Sequence, residues 1–204
     1  MLSHLQKPPF PLSLLLFISI WLPFSATACE PVLLKLTSGE AVAGETVSAS
    51  FSLDRNQLVV KFDVKTSGLY GKEKYSRTDF PFQFDVVEAF ISVDGGLPYY
   101  EFELTPLGQT YEVKVLHPRK PFLSGLKLGM DQNVERRPDG WNAEMRIPLD
   151  RLGWKGGKIK GNAFAILGKK PNRRFYSLSL PAQEKPRFHL PEHFVQLAAP
   201  ACAE

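Results

Sequence analysis

Four glutamates, Glu88, Glu101, Glu103 and Glu144, fall on the polar phase of segments that otherwise alternate apolar and polar residues. On neighbouring strands such carboxylates converge on one face. Two carboxyls roughly 5–5.5 Å apart, one with a raised pKa, would suit a retaining glycosidase. Several hard oxygens together would suit calcium. Single fixed carboxylates would accept hydrogen bonds from hydroxyl groups. Spacing along the chain sets no such distance, and the sequence holds no Asp-rich calcium loop. A solvated or calcium-bound acidic face is therefore the simplest expectation, with calcium left open as a ligand.

Other residues carry weaker chemistry. Arg173 and Arg174 stand beside Phe175 and Tyr176, a pairing suited either to bidentate recognition of an acidic sugar or to a solvated strand edge. Trp154 precedes Lys155-Gly156-Gly157 in a loop, as an exposed platform or as a plug. Trp141 shares its phase with Ala143, Met145 and Ile147, which reads as core. His117, His189 and His193 show no metal-ligand spacing, and there is no Ser-His-Asp or Cys-His arrangement and no phosphate-binding glycine loop. No enzymatic site is legible.

The elements that must position these residues are strands. Alternating rows run through Val47–Leu53, Leu58–Val64, Val87–Val93, Tyr100–Leu104, Tyr111–Val115, Trp141–Ile147 and Ala163–Leu167, with a last strand around Phe175–Leu180. Asp94-Gly95-Gly96, Thr105-Pro106-Leu107-Gly108 and Pro138-Asp139-Gly140 supply turns. One helical piece, Leu149–Leu152, stops at Gly153. Residues 66–83 read as a polar loop, and the stretch from Pro181 to Pro200 as coil wrapped on the body. This density of strands predicts an all-β, antiparallel sandwich of the immunoglobulin or jelly-roll kind.

Several pieces, in order, resemble family 9 carbohydrate-binding modules and their relatives. They are Pro81–Ile91 with its Asp85-x-x-Glu88 strand, and Tyr99-Tyr100-Glu101-Phe102-Glu103-Leu104. Gly140-Trp141-x-x-Glu144-x-x-Ile147-Pro148, Gly161-Asn162-Ala163-Phe164 and Phe188-His189-x-Pro191-x-x-Phe194 complete the set. The resemblance spans about Glu45 to Leu197. It implies a sugar-binding sandwich, often attached to a glycoside hydrolase and often holding structural calcium, in which two aromatic rings clamp a terminal sugar. One clamp position falls on Phe82 in place of Trp. The other is expected near Tyr176-Ser177-Leu178, where Leu178 replaces a ring, so the clamp is reduced. Phe82 and Tyr99 become the stacking candidates, Glu88, Glu101 and Arg174 the polar ones, with Tyr176 beside them. The resemblance makes His189 a structural residue that ties down the tail.

The N-terminus sets the compartment. Lys7 and His4 precede the apolar run LSLLLFISIWLPF and then Ser25-Ala26-Thr27-Ala28. This predicts a signal peptide over residues 1–28 and a secreted or periplasmic domain over 29–204. An uncleaved anchor and a lipoprotein modified at Cys29 are the other readings. The run is short of the about 20 residues of a membrane span. Cys29 and Cys202, the two cysteines, read as a disulfide clasp, which lipidation of Cys29 would forbid. Residues 29–113 carry 7 basic and 13 acidic side chains, and residues 114–204 carry 17 and 8. A basic half would attract an anionic glycan only if the halves stay apart in space. Nothing supports nucleic-acid binding.

The expected function is non-catalytic binding of a saccharide or cell-envelope glycan, serving glycoside hydrolysis by a separate enzyme. The alternatives are a haem-binding electron-transfer sandwich, with Met145 or Met130 as an axial ligand, and a protein-interaction module that has lost sugar binding.

Overall fold

The computed structural model describes residues 30–118 and 122–198. The predicted signal peptide and both cysteines of the expected clasp lie outside the described residues.

Among the described residues, thirteen strands form two antiparallel sheets. The five-stranded sheet is ordered β1 (Val32–Leu33), β3 (Thr46–Asp54), β4 (Gln57–Lys65), β10 (Gly140–Pro148) and β9 (Asp131–Arg137). The larger sheet is ordered β2 (Lys35–Ser38), β12 (Arg174–Ser177), β11 (Ile159–Leu167), β5 (Val86–Ser92), β6 (Tyr99–Leu104), β7 (Thr110–Val115) and β8 (Leu123–Ser124). β13 (Val195–Ala198) pairs with β11 beside this path. Early and late segments thus interleave: β10 lies on β4, and β11 on β5. The two halves of opposite charge do not form separate faces.

The period-two rows build the core between the sheets. Val47, Ala49 and Phe51 of β3, Leu58, Val60 and Phe62 of β4, and Trp141, Met145 and Ile147 of β10 line one side. Val87, Ala89 and Ile91 of β5, Tyr100, Phe102 and Leu104 of β6, and Ala163, Ala165 and Leu167 of β11 line the other. Each large side chain sealed here contributes about 1.5–3 kcal/mol. Met145 is fully buried within this packing, and Trp154 packs against its edge as a plug. Leu149–Leu152 forms a single 3-10 turn, and Gly153 ends it in the left-handed region at φ 84°.

A second core sits on the outer face of the larger sheet. Phe90, Tyr99, Val113, Val115 and Phe164 are covered there by Leu180 and Phe194, with Phe122, Phe188 and Leu190 at the margin. Consequently every residue of β5 and β6 is buried, on both faces. Three expectations need correction here. The tail is not all coil, because it ends in β13 after a 3-10 turn at Pro191–His193. β9 was not anticipated, since its residues Asp131–Arg137 are polar and largely exposed. The face carrying Glu88, Glu101 and Glu103 is not solvated, because the tail closes over it.

Candidate functional site

Register places the acidic cluster. Glu88 on β5 stands directly opposite Glu103 on β6, and Glu101 lies two residues along on the same face. One carboxylate oxygen from each of the three lies within 4.8 Å of the others. All three are buried, Glu103 at 1% exposure. Their cross-strand neighbours are Phe164, Phe90, Val113 and Tyr111, none of which offers a positive charge. Like charges facing each other across strands oppose pairing. The sequence accepts that cost at the centre of the sheet.

Glu144, grouped with these three by its polar phase, belongs to the other sheet. It pairs with Arg146 at 2.7 Å and Lys61 at 3.4 Å on a solvated surface.

Burial, reinforced by the neighbouring carboxylates, pushes Glu88 and Glu103 well above the usual carboxylate range. Burial lifts Glu101 to about 7. Arg173 opposes this at Glu88, and the Phe82 backbone at Glu103. Glu103 Oε2 is buried with no hydrogen-bond partner.

The three carboxyls form the polar floor of a cavity of about 570 Å³, within the range of small-molecule sites. Aromatic side chains make most of its wall: Phe80, Phe82, Phe90, Tyr111, Phe122, Phe175 and Phe188, with His189 and Arg173 among them. Phe82 stands at the mouth, 41% exposed, stacked on Phe80 with ring centroids 5.4 Å apart. A 3-10 turn at Pro81–Gln83 presents it, closed by the Gln83 side chain accepting the Phe80 N–H at 2.9 Å. Arg173 Nη2 donates to the carbonyls of Phe82 and Phe84, at 2.6 and 3.2 Å. The same guanidinium lies over the Phe175 ring at 5.5 Å. It therefore braces the platform turn while holding positive charge at the cavity wall.

Arg174 and Tyr176, expected at the site, point the other way. Both converge on Glu45, whose side chain is 1% exposed. Glu45 Oε1 accepts from Arg174 Nε at 2.5 Å and Tyr176 Oη at 2.7 Å. Its Oε2 accepts from Arg174 Nη2 at 2.7 Å and Thr66 Oγ1 at 2.8 Å. Burial raises the Glu45 pKa, but these bonds outweigh it and the net shift is downward. Side chains alternate along a strand, so one residue of phase decides the face. Arg173 and Phe175 are the members of that segment in the cavity. Leu178 packs against the main core, and Phe175 supplies the ring that this strand gives the cavity.

Tyr99 is displaced from its expected role as well. It is fully buried and bonded through its hydroxyl to His189 Nδ1 at 2.7 Å. Burial raises the Tyr99 pKa, so the phenol keeps its proton, and the tautomer of the His189 ring sets which group donates in this bond. Burial also lowers His189 to about 4, so the ring is neutral at pH 7. His189 ties the tail to β6, as the motif implied, and also walls the cavity. Of the expected residues, Phe82, Glu88 and Glu101 share the cavity, while Tyr99, Arg174 and Tyr176 do not line it. Glu103 reads in the sequence as a polar-phase carboxylate and Arg173, beside Phe175, as one of two arginines suited to an acidic sugar. Neither they nor Phe175 and Phe188 were singled out as binding residues, and all four line the cavity.

The sequence matches no family profile and no curated protein. The fold matches solved structures. A putative carbohydrate-binding protein from Bacteroides uniformis aligns with a TM-score of 0.62 at 19% identity, covering 79% of this chain and 84% of that one. A family 9 carbohydrate-binding module from Caldicellulosiruptor kristjanssonii aligns at 17% identity over 72% of this chain and 73% of the module. Its TM-score is 0.50 in complex with cellotriose and 0.51 in complex with glucose. The chain shares the sandwich fold of these carbohydrate-binding proteins.

Proposed function

We propose that this chain is a secreted, non-catalytic saccharide-binding domain whose ligand enters the cavity over β5 and β6. One observation carries the reading: a ring presented to solvent, Phe82, stands at the mouth of an aromatic cavity with clustered carboxyls at its floor. A pyranose has an apolar face that stacks on such a ring and hydroxyls that need fixed polar partners. The ligands of the Caldicellulosiruptor module, cellotriose and glucose, make β-linked glucose oligosaccharides the first to test.

The floor also constrains the ligand. Three carboxyls and one guanidinium, with Arg174 sequestered by Glu45, leave a cavity that disfavours acidic sugars. The resemblance to family 9 modules, often attached to glycoside hydrolases, supports a role in bringing a separate enzyme to that glycan.

The test is a glycan array spanning neutral and acidic sugars, probed with the mature protein with and without calcium, beside an assay for sugar release. Saturable binding to one neutral class without hydrolysis is the expected result. Binding confined to acidic glycans, or to none, contradicts the reading.

A further inference from the structure

Burial holds Glu88, Glu101 and Glu103 toward the neutral form, and full ionisation of the three calls for a cation that the chain does not itself place among them. Among the described residues, no Lys or Arg nitrogen forms an ion pair within 4.0 Å of any of the three. The nearest titratable nitrogen is His189 Nε2, at 4.0 Å from Glu101. Buried charges in proteins are paired or bound to metal ions. Arg173 at the cavity wall attracts Glu88 without closing an ion pair, and Glu103 Oε2 is buried with no hydrogen-bond partner. The fully bonded Glu45 shows that the same fold can satisfy a buried glutamate when it supplies an arginine, a tyrosine and a threonine.

Geometry identifies what would satisfy the cluster. Three oxygens at most 4.8 Å apart surround a point no more than about 2.8 Å from each. Calcium–oxygen distances run about 2.3–2.6 Å, within a small side-chain adjustment, whereas magnesium demands about 2.0–2.1 Å and strict octahedral geometry. Carboxylate oxygens are the ligands calcium prefers. All three side chains face the cavity, so coordination positions beyond theirs open into it.

We propose that Glu88, Glu101 and Glu103 form a calcium site at the floor of the cavity, with its remaining coordination positions directed into the cavity space. Three protein carboxylates leave about three to five of calcium's six to eight positions for water or for hydroxyls of a bound molecule. That last step rests on the saccharide reading, since a vicinal diol is a natural bidentate partner for such an ion. The site itself does not depend on it.

The test uses the mature protein, stripped of metal and free of sugar. Calcium chloride is titrated calorimetrically into wild type, Glu103→Gln and Glu88→Gln, and unfolding temperature is followed with calcium or with chelator. Wild type should bind one calcium and unfold at higher temperature with it. Each variant should lose affinity by about tenfold or more, and its unfolding temperature should no longer respond to calcium. In chelator both variants should remain folded, because each removes repulsion from the cluster. No saturable binding by wild type at millimolar calcium overturns the proposal. So does calcium affinity that survives unchanged in both variants. Because no sugar is present, failure here leaves the saccharide reading standing, and an empty glycan array leaves the calcium site standing.

Discussion

Glu45 and Glu103 are both glutamates with side chains sealed from water, yet they lie in opposite electrostatic worlds. Glu45 accepts four hydrogen bonds, two of them from one guanidinium. Glu103 faces Glu88 across the strand pair, has Glu101 two residues along its own strand, and leaves one oxygen unpartnered. The first arrangement is complete within the chain, and its pKa moves down. The second is incomplete, and its pKa moves up. A buried polar group with all its bonds made holds a fold together. One with bonds missing, at the floor of a cavity, is what a ligand would complete.

The comparison breaks most visibly at Glu45. Glu45→Ala strands the Arg174 guanidinium and the Tyr176 hydroxyl, so it should destabilise the fold by about 3–5 kcal/mol in denaturant unfolding. Glu103→Gln, although its side chain is likewise sealed, should leave stability unchanged or raise it. Equal losses from the two would end the distinction between them.

The next effect is one of sign with pH, measured without divalent ions. The stabilising contribution of Glu45 is present above its unfolded pKa near 4.5 and is lost as pH falls through its lower folded value. The raised carboxyls contribute stability that is present below about 4.5 and lost as pH rises, Glu101 through about 7. Asp85, lifted to about 6 by burial, adds to that fall, while neutral His189, lowered to about 4, works against it below pH 6.5. Unfolding free energy of wild type minus that of Glu103→Gln isolates the cluster and should fall from pH 4.5 to 7. A rising difference would contradict the assignment.

A smaller effect sharpens the functional side. Phe82→Ala should weaken glycan binding by about 0.5–1.5 kcal/mol, the worth of a ring contact, while leaving the unfolding midpoint in place. Tyr99→Phe removes only the bond to His189. It should cost about 1 kcal/mol of stability and change glycan binding less than Phe82→Ala does.

Alternation located the strands that have one face in the main core, such as β3, β4 and β10, because burial imprints period two on them. It could not locate β9, which is exposed along its length, nor β13, a four-residue strand inside a proline-rich tail. Glu88 and Glu101 were legible as polar-phase residues of adjacent strands. That they are buried was not, because the cover comes from Leu180–Phe194, about 80–105 residues away in sequence. Arg173 and Arg174 each have an aromatic residue two positions on, so their spacing alone did not separate them; the contacts of Arg174 with Glu45 and of Arg173 with the Phe82 carbonyl do. Gly161 matched a motif for a visible reason: a Cβ there would run into the Phe90 carbonyl of β5.

A saccharide bound in the cavity over β5 and β6 should contact Phe82 and Glu88. The most direct test of this is calorimetric titration of the strongest array glycan into wild type, Phe82→Ala and Glu88→Gln under one buffer. The account predicts saturable binding by wild type that each substitution weakens severalfold or more while the fold stays intact. Equal affinity in all three proteins would place the ligand elsewhere and contradict it.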